Sequence, residues 1–121
     1  MRILQHCFRV YVATDEFEAS IRFYEGLQQA KCERRVKIPE TRTEAAKVGR
    51  FLILCGDQES LSSVKDVDAI FYVDSLDEFH AWLQGNGAET LHGLRQVTGG
   101  RNLTARHPDG LVVEYFEAAA S

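Results

Sequence analysis

Cys7-Phe8-Arg9-Val10-Tyr11-Val12 and Asp68-Ala69-Ile70-Phe71-Tyr72-Val73 read as two versions of one strand, with their Tyr-Val pairs at 11–12 and 72–73 standing 61 residues apart. Each is followed by a short acidic turn and a helical pattern that opens on Glu16-Phe17 or Glu78-Phe79. The same 61-residue spacing separates Gly49, before Phe51-Leu52-Ile53-Leu54, from Gly110, before Val112-Val113-Glu114-Tyr115. One spacing at both ends of the unit indicates two tandem copies of a supersecondary module. A copy of about sixty residues buries too little surface to hold a good core alone, so the two are expected to pack into one domain, 1–121, with a cleft at their interface.

Module one, about 1–56, reads as βαβββ. In its first strand Phe8, Val10 and Val12 alternate with Cys7, Arg9 and Tyr11, which gives one apolar face to lie under a helix and one mixed face. Phe17, Ile21, Tyr24 and Leu27 recur at helical spacing between Asp15 and Gln29. Strands are expected over 31–38, 41–48 and 51–55, the first two parted by the turn signal Pro39-Glu40. The polar stretch 57–66, with Ser60, Ser62 and Ser63, reads as a linker. Module two, about 67–118, repeats the order: a strand over 67–73, a helix opened by the capping box Ser75-Leu76-Asp77-Glu78, then strands over 89–97, 101–107 and 111–117. Gly85-Asn86-Gly87 supplies residues that tolerate the left-handed end of that helix. The fold class is therefore α+β: two βαβββ modules forming a curved, partly open mixed sheet around a cleft.

Composition narrows the partners. A formal charge of −4 with mixed signs gives no basic stripe, so nucleic acid is not an expected partner. No apolar run approaches the roughly 18 residues of a membrane span, and the N-terminus lacks the apolar stretch of a secretory signal. Cys7, Cys32 and Cys55 are odd in number and lie in or near strand-like runs, which suits reduced thiols and a cytoplasmic location.

The tandem βαβββ modules, the helical Ile21-Arg22-Phe23-Tyr24 and the terminal His107-Pro108-Asp109-Gly110-Leu111-Val112-Val113-Glu114 together resemble the vicinal oxygen chelate superfamily. That group includes glyoxalase I, bleomycin-resistance proteins, fosfomycin-resistance enzymes and extradiol dioxygenases. The resemblance implies a homodimer and, in the enzymatic branches, a divalent metal held by one residue from the first and last strand of each module. Carried over with the 61-residue offset, those positions fall on Cys7, Ile53, Asp68 and Glu114. Isoleucine cannot coordinate a metal, and a thiol with two carboxylates matches poorly the His/Glu sets of such enzymes, so neither metal nor cofactor is expected. A one-residue slip would bring in His6 for Cys7, but His6 shares a face with Phe8, Val10 and Val12.

Period-two parity makes Cys7, Arg9, Tyr11, Ile53, Asp68, Tyr72, Glu114 and Phe116 the expected lining of the cleft. Arg9 either pairs with Asp68 or Glu114 or meets an oxygen of a ligand. Glu114 is the candidate catalytic residue, a general base if burial tunes it, or else an ion-pair partner. Arg101, Asn102 and Arg106 lie around the seventh strand, one face of which is expected to look into the cleft, but parity does not say which. His107 reads as a turn residue, His80 and His92 as surface residues, and Phe71, Phe79 and Trp82 as core. The expected function is metal-independent binding of a small, partly apolar organic molecule, as in bleomycin-resistance-type members. The alternative is an enzyme, a glyoxalase I-like lyase or isomerase or a dioxygenase, metal-dependent or using Glu114 as base; a structural or regulatory dimer is a third reading.

Overall fold

In the computed structural model, which describes residues 1–120, contacts divide the chain into two compact units. One is Cys7–Asp66; the other joins Met1–His6 to the chain from Val67 onward. The first six residues therefore go with the second module, and the stretch 57–66 goes with the first.

The Cys7–Asp66 unit contains most of β1 (Ile3–Ala13), a 3-10 turn at Thr14–Glu16, α1 (Phe17–Gln28), β2 (Arg34–Ile38), β3 (Thr43–Val48), β4 (Phe51–Gly56) and a short α2 (Gln58–Ser62). Its strands lie in the order β2-β3-β4-β1, with β1 parallel to β4 and the other pairs antiparallel. Phe17 and Ile21 of α1 pack on Ala46, Val48, Ile53 and Cys55, with Val10 and Val12 alongside. Arg35 of β2 fastens the start of the helix: it makes a two-pronged bond to Glu18 (2.7 and 3.2 Å) and holds its guanidinium 5.0 Å from the Phe17 ring centre. The expected stripe needs one correction, because after Phe17, Ile21 and Tyr24 the next turn brings round residue 28 rather than 27. Leu27 is 61% exposed, and Gln28 takes the inner position with its amide bound to the backbone of Tyr24 and Val48. Phe8, expected under the helix, is 62% exposed on that face, since α1 covers only Val10 and Val12. The expected linker contains α2, whose start Asp57 caps by accepting from the Ser60 amide at 2.7 Å.

The second unit contains β5 (Ala69–Val73), α3 (Leu76–Gly85), β6 (Glu89–Val97), β7 (Gly100–Arg106) and β8 (Val112–Ala118), ordered β5-β8-β7-β6. Here β5 is parallel to β8 and the remaining pairs are antiparallel, the same plan as the first unit. Leu76, Phe79 and Leu83 of α3 pack on Val73, Leu103, Ala105, Val113 and Tyr115. Trp82 lies outside that stripe and is 51% exposed, so it is not core as its neighbours are. The capping position behaves as its sequence requires, with Ser75 Oγ accepting from the Glu78 amide. A second cap comes from the sheet: Glu117 Oε1 accepts from the Leu76 amide at 2.7 Å, which locks β8 to the start of α3.

The two modules repeat with a one-residue difference that the spacing of glycines concealed. Val10 lies opposite Ile53 in module one, and Phe71 lies opposite Tyr115 in module two. Thus β1 maps to β5 by 61 residues, but β4 maps to β8 by 62. One residue is inserted between Gly110 and Val113 relative to the Gly49–Phe51 turn, and in a strand one residue exchanges the faces.

Candidate functional site

The side of the second unit's sheet away from α3 holds its polar chemistry. Odd-numbered residues of β5, β7 and β8 build the core under the helix, so Ile70, Tyr72, Asn102, Thr104, Val112, Glu114 and Phe116 share the other face. Glu114 sits on β8, an inner strand, directly opposite Thr104 of β7 and Ile70 of β5. Its carboxylate is half-buried and accepts from Asn102 Nδ2 at 2.9 Å. Asn102 is itself only 7% exposed, and its Oδ1 accepts from Arg95 Nε at 3.2 Å. A buried amide with a carboxylate on one side and a guanidinium on the other has only one orientation in which both bonds form. Beside this line Tyr72 and Phe116 meet edge to face with ring centres 5.9 Å apart. The face thus offers a held carboxylate, a buried hydroxyl on Thr104 and an aromatic wall.

Asp68 precedes β5, and its Oδ2 accepts from the Val112 amide at 2.9 Å, tying down the start of β8. In the first unit Cys7, Arg9 and Tyr11 share the face away from α1, as parity expects. Cys7 is buried and directs its thiol at the Gly49 carbonyl; burial pushes that thiol's pKa up. Arg9 is half-buried, with its guanidinium carbon 5.4 Å from the Tyr11 ring centre.

Ile53 is a correction. It is fully buried under α1 with Phe17 and Ile21, on the opposite face from Cys7, Arg9 and Tyr11, so it lines no ligand site on their side. The 62-residue offset of the last strand makes Leu52 the counterpart of Glu114. The residues therefore do not fit the superfamily's divalent ion: one of four positions is a leucine, another a buried thiol bonded to a backbone carbonyl, and the Asp68 and Glu114 carboxylates are bonded to Val112 and Asn102. Among the described residues no three His, Cys, Asp or Glu groups come together as metal donors.

One further residue stands elsewhere than expected. His107 folds back from the Pro108-Asp109-Gly110 turn, its Nε2 2.7 Å from the Tyr115 hydroxyl, instead of standing as a turn residue in solvent. Burial pushes Tyr115 up to about 12. Arg95 was not singled out in the sequence at all; Gly93, two residues before it within a strand, is the signal that marks a bulge there. The first unit also has an open pocket of about 480 Å³ between Lys37, Arg42, Glu44 and Asp57, but Glu44 is paired with Arg35 and Asp57 with the Ser60 amide.

Two βαβββ modules with this strand order define the class: the fold is that of the vicinal oxygen chelate proteins. Methylmalonyl-CoA epimerase from Mycobacterium tuberculosis shares it at a TM-score of 0.70 and 14% identity, covering 98% of this chain and 90% of that one. A variant Streptomyces coelicolor methylmalonyl-CoA epimerase in complex with 2-nitronate-propionyl-CoA shares it at 0.63 and 16%, covering 97% and 99%. An uncharacterised protein from Methanosarcina mazei is 41% identical with a TM-score of 0.88, over 98% of this chain and 95% of that one. The chain belongs to the same family as that Methanosarcina mazei protein. No known family profile and no curated protein matches the sequence. No helix among the described residues is long and apolar enough to cross a membrane.

Proposed function

We propose that the protein binds a small, partly apolar organic molecule without a metal, and that Glu114 receives the molecule's polar end. One observation carries this reading: a half-buried carboxylate, oriented by the buried Asn102, lies on a sheet face otherwise furnished with Ile70, Tyr72, Val112 and Phe116. Apolar walls with a few fixed polar groups are the usual composition of small-molecule sites. Tyr72 and Phe116, on the same face of the second unit, belong to the same proposal as further ligand contacts. Native mass spectrometry after gentle purification without chelator is the test. Retained organic ligand with well below one metal ion per chain supports the reading; stoichiometric Ni, Zn, Mn or Fe refutes it. The same spectrum reports whether the protein is the homodimer that the superfamily resemblance favours.

A second reading is favoured by the epimerases among the fold neighbours. Glu114 would take a proton from a carbon beside a carbonyl, leaving the electron pair delocalised onto the carbonyl oxygen. Incubation with propionyl-CoA in D2O would then exchange the α-proton, and Glu114→Gln would abolish the exchange. No exchange by the wild-type chain leaves the binding reading and removes this one.

A further inference from the structure

β6 departs twice from regular pairing with β7. Thr90 lies opposite Ala105, His92 opposite Thr104 and Arg95 opposite Asn102, so β6 carries one extra residue before His92 and another between His92 and Arg95. In a regular strand residues 92 and 95 point to opposite faces. The two bulges instead set both opposite residues of the Glu114 face, and bulges of this kind re-aim side chains. Arg95 is itself exposed, and its Nε donates to Asn102 Oδ1 at 3.2 Å, which ties the side chain to this face. That bond uses one edge of the guanidinium. No acceptor among the described residues meets the two terminal nitrogens of Arg95.

We infer that Arg95 is a specificity-determining residue that receives an oxyanion of the ligand, a carboxylate or a phosphate, through the paired N–H donors of its terminal nitrogens. A guanidinium fork matches two oxygens of such a group, and one already held by its Nε loses less freedom on binding. Asn102 sets the spacing: it stands between Arg95 and Glu114 and separates the incoming anion from the resident carboxylate. The part of the ligand that reaches Glu114 must then be uncharged, since a second anion beside that carboxylate would be repelled. The ligand class carries one anionic group, a carboxylate or a phosphate, on an apolar or aromatic body, with a neutral hydrogen-bond donor or acidic C–H toward Glu114. This rests on the reading that the Glu114 face is the ligand site.

The experiment titrates the full chain with phenylacetate, phenylphosphate and the neutral phenylacetamide, following the Arg95 Nε–H, the Asn102 amide and the backbone of β7 and β8 by NMR. The expected result is that at least one anion shifts all three sets of signals and binds at least tenfold more tightly than phenylacetamide; the stronger anion identifies carboxylate or phosphate. Arg95→Gln should remove that tenfold preference, bringing the anion's affinity to that of phenylacetamide measured on the same variant, and Arg95→Lys should restore only part of it. If all three probes bind the face equally, or the preference survives Arg95→Gln, the role of Arg95 is overturned and the site stands. If no probe shifts the β7 and β8 signals, the site itself is overturned, and this inference with it.

Discussion

Replacing Gly49 by alanine should cost more than its backbone alone accounts for, because the site is shared with Gln28. Gly49 turns between β3 and β4 at φ +59, a left-handed conformation that costs an L-residue about 1–2 kcal/mol. A Cβ there would also overlap Gln28 Oε1 and approach its Cδ to 2.8 Å. The Gln28 amide closes the end of α1 onto this turn: Nε2 donates to the carbonyls of Tyr24 (3.0 Å) and Val48 (2.9 Å), and Oε1 accepts from the Arg50 amide (2.8 Å). Each bond contributes about 0.5–1.5 kcal/mol net, and water can replace part of that at a half-buried site, so displacing the side chain should cost about 1–3 kcal/mol. Gly49→Ala is therefore expected to destabilise by about 2–5 kcal/mol and Gln28→Ala by about 1–3. The double variant should fall short of their sum by about 1–3 kcal/mol, the Gln28 displacement counted in both single variants, since the overlap no longer exists once Gln28 is shortened. Urea unfolding followed by circular dichroism, with a common slope for all four proteins, measures the cycle. Strict additivity, within about 0.5 kcal/mol, would show that Gln28 does not hold this turn.

Ile53→Glu should abolish stable folding, because it places a charge in the core under α1, whereas Leu52→Glu, half-buried on the other face, should fold; equal behaviour in a thermal melt would refute the 62-residue register. Tyr115 is raised from its ordinary 10 to about 12, so folding favours the neutral phenol: the resulting stability, about 1–3 kcal/mol, is complete below pH 10 and is lost as pH rises through 12. Denaturant midpoints at pH 9 and 11.5 should show that loss in the wild type against a smaller one in Tyr115→Phe. Gly100→Ala would press a Cβ into the Glu117 carbonyl oxygen, a backbone atom that cannot swing away, and should lower the melting temperature by well over 5 °C. Cys7 and Cys55 are buried with raised thiol pKa values, so mass spectrometry should find Cys32 alkylated by iodoacetamide well before either.

What could be read from the chain follows from how local each signal is. The alternation in β1 correctly separated Val10 and Val12 from Cys7, Arg9 and Tyr11, because a strand's two faces are fixed by parity alone. The same reasoning failed at Ile53, where parity was carried across a turn by counting from a glycine; Gly49 and Gly110 do correspond, but the extra residue after Gly110 reverses the face. Trp82 was misplaced because its neighbours Phe79 and Leu83 already complete the helical stripe. His107 was read from its turn, and nothing local announces that its ring reaches a tyrosine eight residues on. The face of β7 was undecidable from sequence, and the bulges in β6 were marked only by Gly93.

The corrected register changes what the repeat says about the site. Aligned by pairing, Glu114, Phe116, Asn102 and Thr104 of module two correspond to Leu52, Leu54, Ala45 and Lys47 of module one. In place of the carboxylate and the amide that orients it, the first module has leucine and alanine, with Leu54 and Ala45 buried. An aliphatic pair needs no partner, whereas a half-buried carboxylate must be satisfied, and module two devotes Asn102 and a twice-bulged strand to doing so. The two modules therefore share a strand plan but differ in chemistry at this face: leucine and alanine in one, a carboxylate held by a buried amide in the other.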